Sequence, residues 1–71
     1  MRLLKKVNYK KAVIRVYLYA NVQHICKVRL PWESSYTEIG EYPRLDTIDN
    51  LIKYACNEVD YYIDDKGNRL E

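Results

Sequence analysis

The sequence is poor in the residues that most binding and catalytic motifs require. Its 71 residues include no phenylalanine, two glycines, two prolines, two cysteines and one histidine. Two cysteines and one histidine are too few for a four-ligand zinc site, and Gly40 and Gly67 are too far apart for a phosphate-binding glycine loop. Ser34 and Ser35 lack the glycines of a nucleophile elbow. We therefore expect no enzyme, no metal site and no cofactor.

The composition is otherwise that of a small globular domain. Hydrophobic residues make up 48% of the chain and charged residues 31%, a balance that argues against disorder. A domain of this size buries only about 60% of its unfolded surface, so residues 1–71 should form one domain with a thin stability margin. No apolar run is long enough for a membrane span, and no apolar h-region follows the charged start. We expect a cytoplasmic protein with free thiols.

Two neighbouring segments alternate between apolar and polar residues. These segments, Lys11 to Ala20 and Val22 to Leu30, predict an antiparallel hairpin over residues 11–31. Apolar residues face each other only if the loop has an odd length, such as 20–22, or if a bulge lies nearby. Asn21 is the loop residue that best tolerates a left-handed conformation. Residues 1–10 then form a basic N-terminal arm. The outward side of the hairpin carries Val13, Arg15, Tyr17, Tyr19, Ile25, Lys27 and Arg29.

A helix is predicted over residues 46–63, capped by Asp46 or Thr47. Apolar residues recur at helical spacing in a stripe that should face the core: Ile48, Leu51, Ile52, Ala55, Val59, Tyr62 and Ile63. Residues 34–42 are either a third, edge strand or a long loop. A lone hairpin is marginal in water, so the helix must cover it. The predicted fold is a small two-layer α+β module, ββ(β)α, in which Trp32 closes the open end of the core.

The charges are divided between the two halves of the chain. Residues 1–32 contain eight lysines and arginines and no acid, a charge of +8. Residues 33–71 contain ten acids and four cations, a charge of −6, and the halves together give the net +2. The plainer interpretation is that a basic sheet and an acidic helix complement each other. The alternative is that such asymmetry indicates a charged partner.

The first functional hypothesis is a non-enzymatic module that binds DNA or RNA. The helix covers one face of the hairpin, so basic and aromatic side chains on the other face can meet phosphates and bases. The basic arm would add affinity that does not depend on nucleotide sequence. The residues predicted to bind nucleic acid are Lys5, Lys6, Lys10, Lys11, Arg15, Tyr17, Tyr19, Lys27 and Arg29.

The second hypothesis is a small regulator or inhibitor, of the kind that phages and other mobile elements encode, that binds a host or partner protein. Its acidic helical face could occupy a groove that normally takes nucleic acid. The residues predicted for this role are Glu41, Asp46, Asp49, Glu58, Asp60, Asp64 and Asp65. A third hypothesis is a homodimer in which the tyrosine-rich sheet face or an edge strand pairs with itself.

Overall fold

A computed structural model describes residues 1–20, 23–39 and 47–70 of the chain. Four antiparallel strands lie in the sheet in chain order: β1 (Arg2–Tyr9), β2 (Ala12–Tyr19), β3 (Gln23–Arg29) and β4 (Thr37–Glu38). One helix, α1 (Ile48–Asp60), packs on one face of this sheet. The predicted two-layer α+β class is confirmed, and the sheet has four strands where the alternation predicts two or three. Within the described ranges, no helix is long and apolar enough to span a bilayer.

The hairpin of β2 and β3 has the predicted register. Tyr19 is opposite Gln23, so the two paired positions are separated by an odd number of residues, and Val16 is opposite Cys26, so apolar residues face each other. Ala20 has a positive φ of 54°. Asn21, for which we predicted the left-handed conformation, lies outside the described residues.

The core lies between α1 and the inner face of the sheet. Every second residue of β2 and β3 faces inward, while the helix contributes one stripe, as the two periodicities predict. Together they form one buried cluster: Ala12, Ile14, Val16, Cys26, Val28, Leu30, Leu51, Ala55, Val59 and Ile63. Within the described residues, α1 covers this face of the sheet and no helix lies over the opposite one.

The N-terminal segment is a strand rather than the predicted arm. β1 pairs with β2 along its length, with an irregularity between Leu3 and Lys5. Its inward residues Val7 and Tyr9 pack against the core cluster. The pairing satisfies backbone groups of β2 that would otherwise form an open edge. Because Lys5 and Lys6 are adjacent, this strand lacks the regular alternation that predicted β2 and β3.

The turn between β1 and β2 consists of two lysines in the left-handed region. Lys10 has φ 49° and Lys11 has φ 69°, the signs that a type I′ hairpin turn requires. Asn-Gly is the usual sequence there, because a side chain with a Cβ costs roughly 1–2 kcal/mol in this conformation. Gly67, with φ 84°, leaves room for the turn: a Cβ at residue 67 would lie 3.2 Å from Cε of Lys11.

The segment predicted as an edge strand or a long loop contains a very short strand. Of residues 34–42, Thr37 and Glu38 form β4, opposite Val28 and Lys27. The amide of Ile39 adds one hydrogen bond to the carbonyl of Cys26, at 3.0 Å. Residues 40–42 lie outside the described part of the chain.

The helix is shorter than the predicted 46–63. Thr47 is its N-cap, since the Thr47 hydroxyl accepts a hydrogen bond from the Asn50 amide. The helix ends at Asp60, where the amides of Tyr61 and Tyr62 bond carbonyls only three residues back. Ile63 is still buried, but Tyr62 is 45% exposed and leaves the predicted core stripe. Asp46, the other predicted cap, lies outside the described residues.

A network of polar side chains joins the β1–β2 turn to the end of α1. Oδ1 of Asp60 accepts hydrogen bonds from the Tyr9 hydroxyl at 2.9 Å and from Nζ of Lys10 at 2.7 Å. Nζ of Lys10 also lies 3.3 Å from Oδ1 of Asp65. The hydrogen bond from Lys10 lowers the pKa of Asp60, with a further contribution from Tyr9, and the same contact raises the pKa of Lys10 to about 12. The network thus favours the charged forms of both groups.

We predict that Asp60→Asn lowers the urea midpoint of unfolding at neutral pH. Because the pKa of Asp60 is lowered in the folded state, its contribution is present above the ordinary value of 3.8 and is lost as the pH falls through the folded-state pKa. The midpoints of the two proteins should therefore converge at acidic pH. Asp49→Asn is the control, because that side chain is 89% exposed and lies 3.8 Å from Lys5. A difference for Asp60→Asn that persisted undiminished in acid would contradict the prediction.

Candidate functional site

The face of the sheet opposite α1 is rich in basic and aromatic side chains. The register places eleven residues on this outer face: Leu3, Lys6, Asn8, Val13, Arg15, Tyr17, Tyr19, Gln23, Ile25, Lys27 and Arg29. All four charged residues among them are cations. Glu38 of β4, opposite Lys27, adds one acid at the edge.

Three cations lie side by side across this face. Lys6 of β1 is opposite Arg15 of β2, and Arg15 is opposite Lys27 of β3. We call these three residues the cation row. Directly opposite side chains have Cβ atoms about 4.5–5.5 Å apart, and like charges in such pairs destabilise a sheet. The cation row therefore costs folding free energy that an anion placed over it would recover.

Tyrosine rings hold the cations in place. The Tyr36 ring centroid lies 4.6 Å from Cζ of Arg15 and 5.7 Å from Cζ of Arg29. Nζ of Lys27 lies 5.7 Å from the centroid of the Tyr17 ring. Such contacts attract a cation through the quadrupole of the ring and leave its net charge intact.

Arg15 is the centre of this arrangement. Its Nη1 donates a hydrogen bond to the Tyr17 hydroxyl at 3.4 Å, and that bond is the main reason why the pKa of Arg15 is raised. Its Nε is buried and has no hydrogen-bond partner among the described residues. A buried donor without a partner is costly, so the placement of Arg15 adds to the folding cost of this face.

The structure brings together six of the nine residues predicted to bind nucleic acid. Lys6, Arg15, Tyr17, Tyr19, Lys27 and Arg29 share the outer face. The other three lie elsewhere because residues 1–10 form a strand and a turn. Lys5 is opposite inward-facing Val16 and lies 3.8 Å from Asp49 of α1. Lys10 contacts Asp60 and Asp65, and Lys11 packs on Gly67.

Two residues of the outer face differ from the sequence-based picture. Ile25 is only 5% exposed, although its register position opposite Tyr17 is on the outer face. Tyr36 was not among the predicted binding residues, yet its ring joins Arg15 to Arg29. The signal that could have identified Tyr36 is its spacing of two from Glu38, which places both on one side of an extended segment.

The acidic residues predicted to bind a protein do not form one free surface. The carboxylate of Asp60 is bound by Tyr9 and Lys10. Oδ1 of Asp64 accepts hydrogen bonds from the amides of Lys66 and Asn68 in the C-terminal turn. Asp65 lies beside Lys10 and Asp49 beside Lys5. Glu58 lines a groove near the helix end, and Glu41 and Asp46 lie outside the described residues.

The thiols are placed for packing. Neither Cys26 nor Cys56 forms a disulfide, and burial raises the pKa of Cys26 to about 12 and raises that of Cys56 as well. A thiol with a raised pKa is a poor nucleophile at neutral pH. In the part of the chain that the structure describes, no group of three His, Cys, Asp or Glu side chains could hold a metal ion.

Comparison with known proteins gives no assignment. No family model, curated protein or solved structure matches this chain.

We predict that Lys6→Gln stabilises the protein at low salt by roughly 0.2–1 kcal/mol, because it removes one like-charge pair from the cation row. Denaturant unfolding at low salt and at about 1 M salt, where the Debye length is about 3 Å, should show that the gain disappears on screening. Lys66→Gln removes the same charge from an exposed turn and should leave stability unchanged. A destabilising Lys6→Gln substitution would mean that the row is not repulsive.

Proposed function

We propose that the protein is a non-enzymatic nucleic-acid-binding module whose outer sheet face binds the phosphate backbone. The observation that carries this proposal is the cation row, in which Lys6, Arg15 and Lys27 are directly opposed on three neighbouring strands. A polyanion with regularly spaced charges would neutralise several of these cations at once, and the release of its counterions would drive binding.

The distribution of ion pairs supports this proposal. Among the described residues, the salt bridges join Lys5 to Asp49 and Lys10 to Asp60 and Asp65, and they tie β1 and its turn to the helix and the C-terminal turn. Arg15 and Arg29 contact the Tyr36 ring, and Nη1 of Arg29 also donates a hydrogen bond to the backbone carbonyl of Glu33 at 3.2 Å. Neither guanidinium pairs with a carboxylate of the described residues, which supports a role for their charges in binding phosphate.

The tyrosines favour single-stranded over duplex nucleic acid. Tyr19 is 47% exposed at the end of β2, and Tyr17 is half-buried beside the cation row. Unpaired bases can stack on exposed rings, with a contribution of about 1–3 kcal/mol per base, whereas the bases of a duplex are stacked on one another already. We therefore expect the tighter complex with a single strand.

The acidic alternative, in which the helical face binds a partner protein, has less support. Asp60, Asp64 and Asp65 already contact cations or backbone amides within the chain. A mimic of phosphate would need carboxylates that are free to contact a partner. A homodimer through the edge of β1 would bring Arg2, Lys5 and Lys6 of two copies together, which repulsion disfavours.

We predict that the double substitution Lys6→Gln, Lys27→Gln weakens binding to a short single-stranded oligonucleotide and flattens its salt dependence. Each phosphate contact contributes about 0.7 to the slope of log K against log salt for a single strand. Loss of two contacts should therefore reduce the slope by about 1.4. Fluorescence anisotropy between about 50 and 200 mM salt measures the affinity and the slope.

The matched control is Lys53→Gln, Lys66→Gln, which removes the same charge from exposed positions on α1 and in the C-terminal turn. This variant should keep the affinity and slope of the unmodified protein. Equal losses in the two double variants would indicate attraction to net charge alone, and absence of any binding at low salt would refute the proposal.

A further inference from the structure

A recess lies away from the outer face, between β4 and the C-terminal end of α1. It is a groove of about 510 Å³, within the range that ligand sites occupy. Its walls include the aliphatic side chains of Val28, Ile39 and Val59, and it is flanked by the rings of Trp32 and Tyr62. Trp32 is 39% exposed and Tyr62 is 45% exposed, so both predicted core residues instead present ring surface to solvent.

Among the described residues that line the groove, acids outnumber cations. They are Glu33, Glu38 and Glu58, together with the guanidinium of Arg69. The carboxylate of Glu33 accepts a hydrogen bond from the Leu30 amide at 3.0 Å. The half-buried carboxylate of Glu58 makes no hydrogen bond or ion pair within residues 1–20, 23–39 and 47–70. A half-buried carboxylate without a partner beside apolar walls attracts a cation.

The chain itself indicates which cation suits the groove. Cζ of Arg69 lies 4.5 Å from the centroid of the Trp32 ring, so a guanidinium already stacks on one side of the recess. A guanidinium is planar, is weakly hydrated and can donate two parallel hydrogen bonds to one carboxylate. Arg69 stacks on the indole ring of Trp32 but makes no ion pair with Glu58, and the groove is larger than one side chain.

We propose that this groove binds an arginine side chain presented by a segment of a partner protein, with its guanidinium at Glu58 and its stem between the aliphatic walls and the rings. A polypeptide segment fits because β4, whose residues Thr37 and Glu38 line the groove, is the outermost of the described strands on this side of the sheet. An extended peptide can lie along such an edge while one side chain enters the recess. The site is separate from the cation row and does not depend on the proposed nucleic-acid binding.

Trp32 provides a direct readout, because it is the only tryptophan in the chain. The experiment titrates the full-length protein with a blocked Gly-Arg-Gly peptide and with the same peptide carrying citrulline, the uncharged isostere of arginine, and follows Trp32 fluorescence. We expect a saturable change with the arginine peptide and binding weaker by at least about tenfold with the citrulline peptide, the effect of losing one charge-assisted hydrogen bond. Equal affinities, or no saturable change with either peptide, would overturn the proposal.

Two variants distinguish binding in the groove from general attraction to charge. Glu58→Gln should weaken binding of the arginine peptide about tenfold. Asp49→Asn, the same charge change at an exposed position of α1, should leave the affinity for this peptide unchanged. Equal affinities for Glu58→Gln and the unmodified protein would refute the role of Glu58. Free argininamide is the final arm, and affinity equal to that of the peptide would show that the groove takes a small organic cation and not a protein segment.

Discussion

Among the described residues, a single helix covers one face of a four-stranded sheet, and the opposite face has to be stable without a helix. The 13 residues of α1 bury the inward residues of β1, β2 and β3. On the outer face, the side chains must be long enough to shield the sheet and polar enough to be solvated. Arginine, lysine and tyrosine meet both requirements, because their apolar stems and rings lie along the sheet while their polar ends reach water.

The same constraint explains why the charges are segregated. Lysines of β1 that face inward or lie at its turn meet acids of α1 and of the C-terminal turn, as Lys5 meets Asp49 and Lys10 meets Asp60. The contact between Lys10 and Asp60 attaches the first hairpin to the helix, and it helps to hold a turn that two non-glycine residues would otherwise disfavour. Cations on the outer face are too far from the helix to do the same, so rings take the place of carboxylates there. The near-neutral net charge thus hides a basic sheet face.

Periodicity predicted the parts of the fold that bury apolar side chains in regular succession. The alternation of Ile14 and Val16 defines β2, and the spacing of Leu51, Ala55 and Val59 defines α1. β1 could not be predicted from periodicity, because Lys5 and Lys6 interrupt the alternation of apolar and polar residues. The turn between β1 and β2 gave no signal either, because it consists of two lysines and not of Asn-Gly. The helix was predicted too long because Tyr62 continues the apolar spacing, although its backbone has already left the helix.

The candidate sites could be predicted only in part, for a related reason. Arg15, Tyr17, Lys27 and Arg29 follow from strand alternation, which needs no long-range information. The cation row could be predicted only with β1 as a third strand. The contribution of Tyr36 could be predicted only if the return of the chain to the sheet after β3 were known. The groove combines Trp32, Glu58 and Arg69, which are far apart in sequence and become neighbours only through the pairing of β4 and the turn after α1.

The claim that the outer face of the sheet is the binding surface can be tested most directly by NMR. Backbone amide shifts of the ¹⁵N-labelled protein, recorded during titration with a short single-stranded oligonucleotide, map the contact surface without any substitution. We expect the largest changes on Lys6, Arg15, Lys27 and their neighbours in β1, β2 and β3, while exposed positions of α1 such as Lys53 remain unshifted. Changes concentrated on α1, with the central strands unaffected, would contradict this claim.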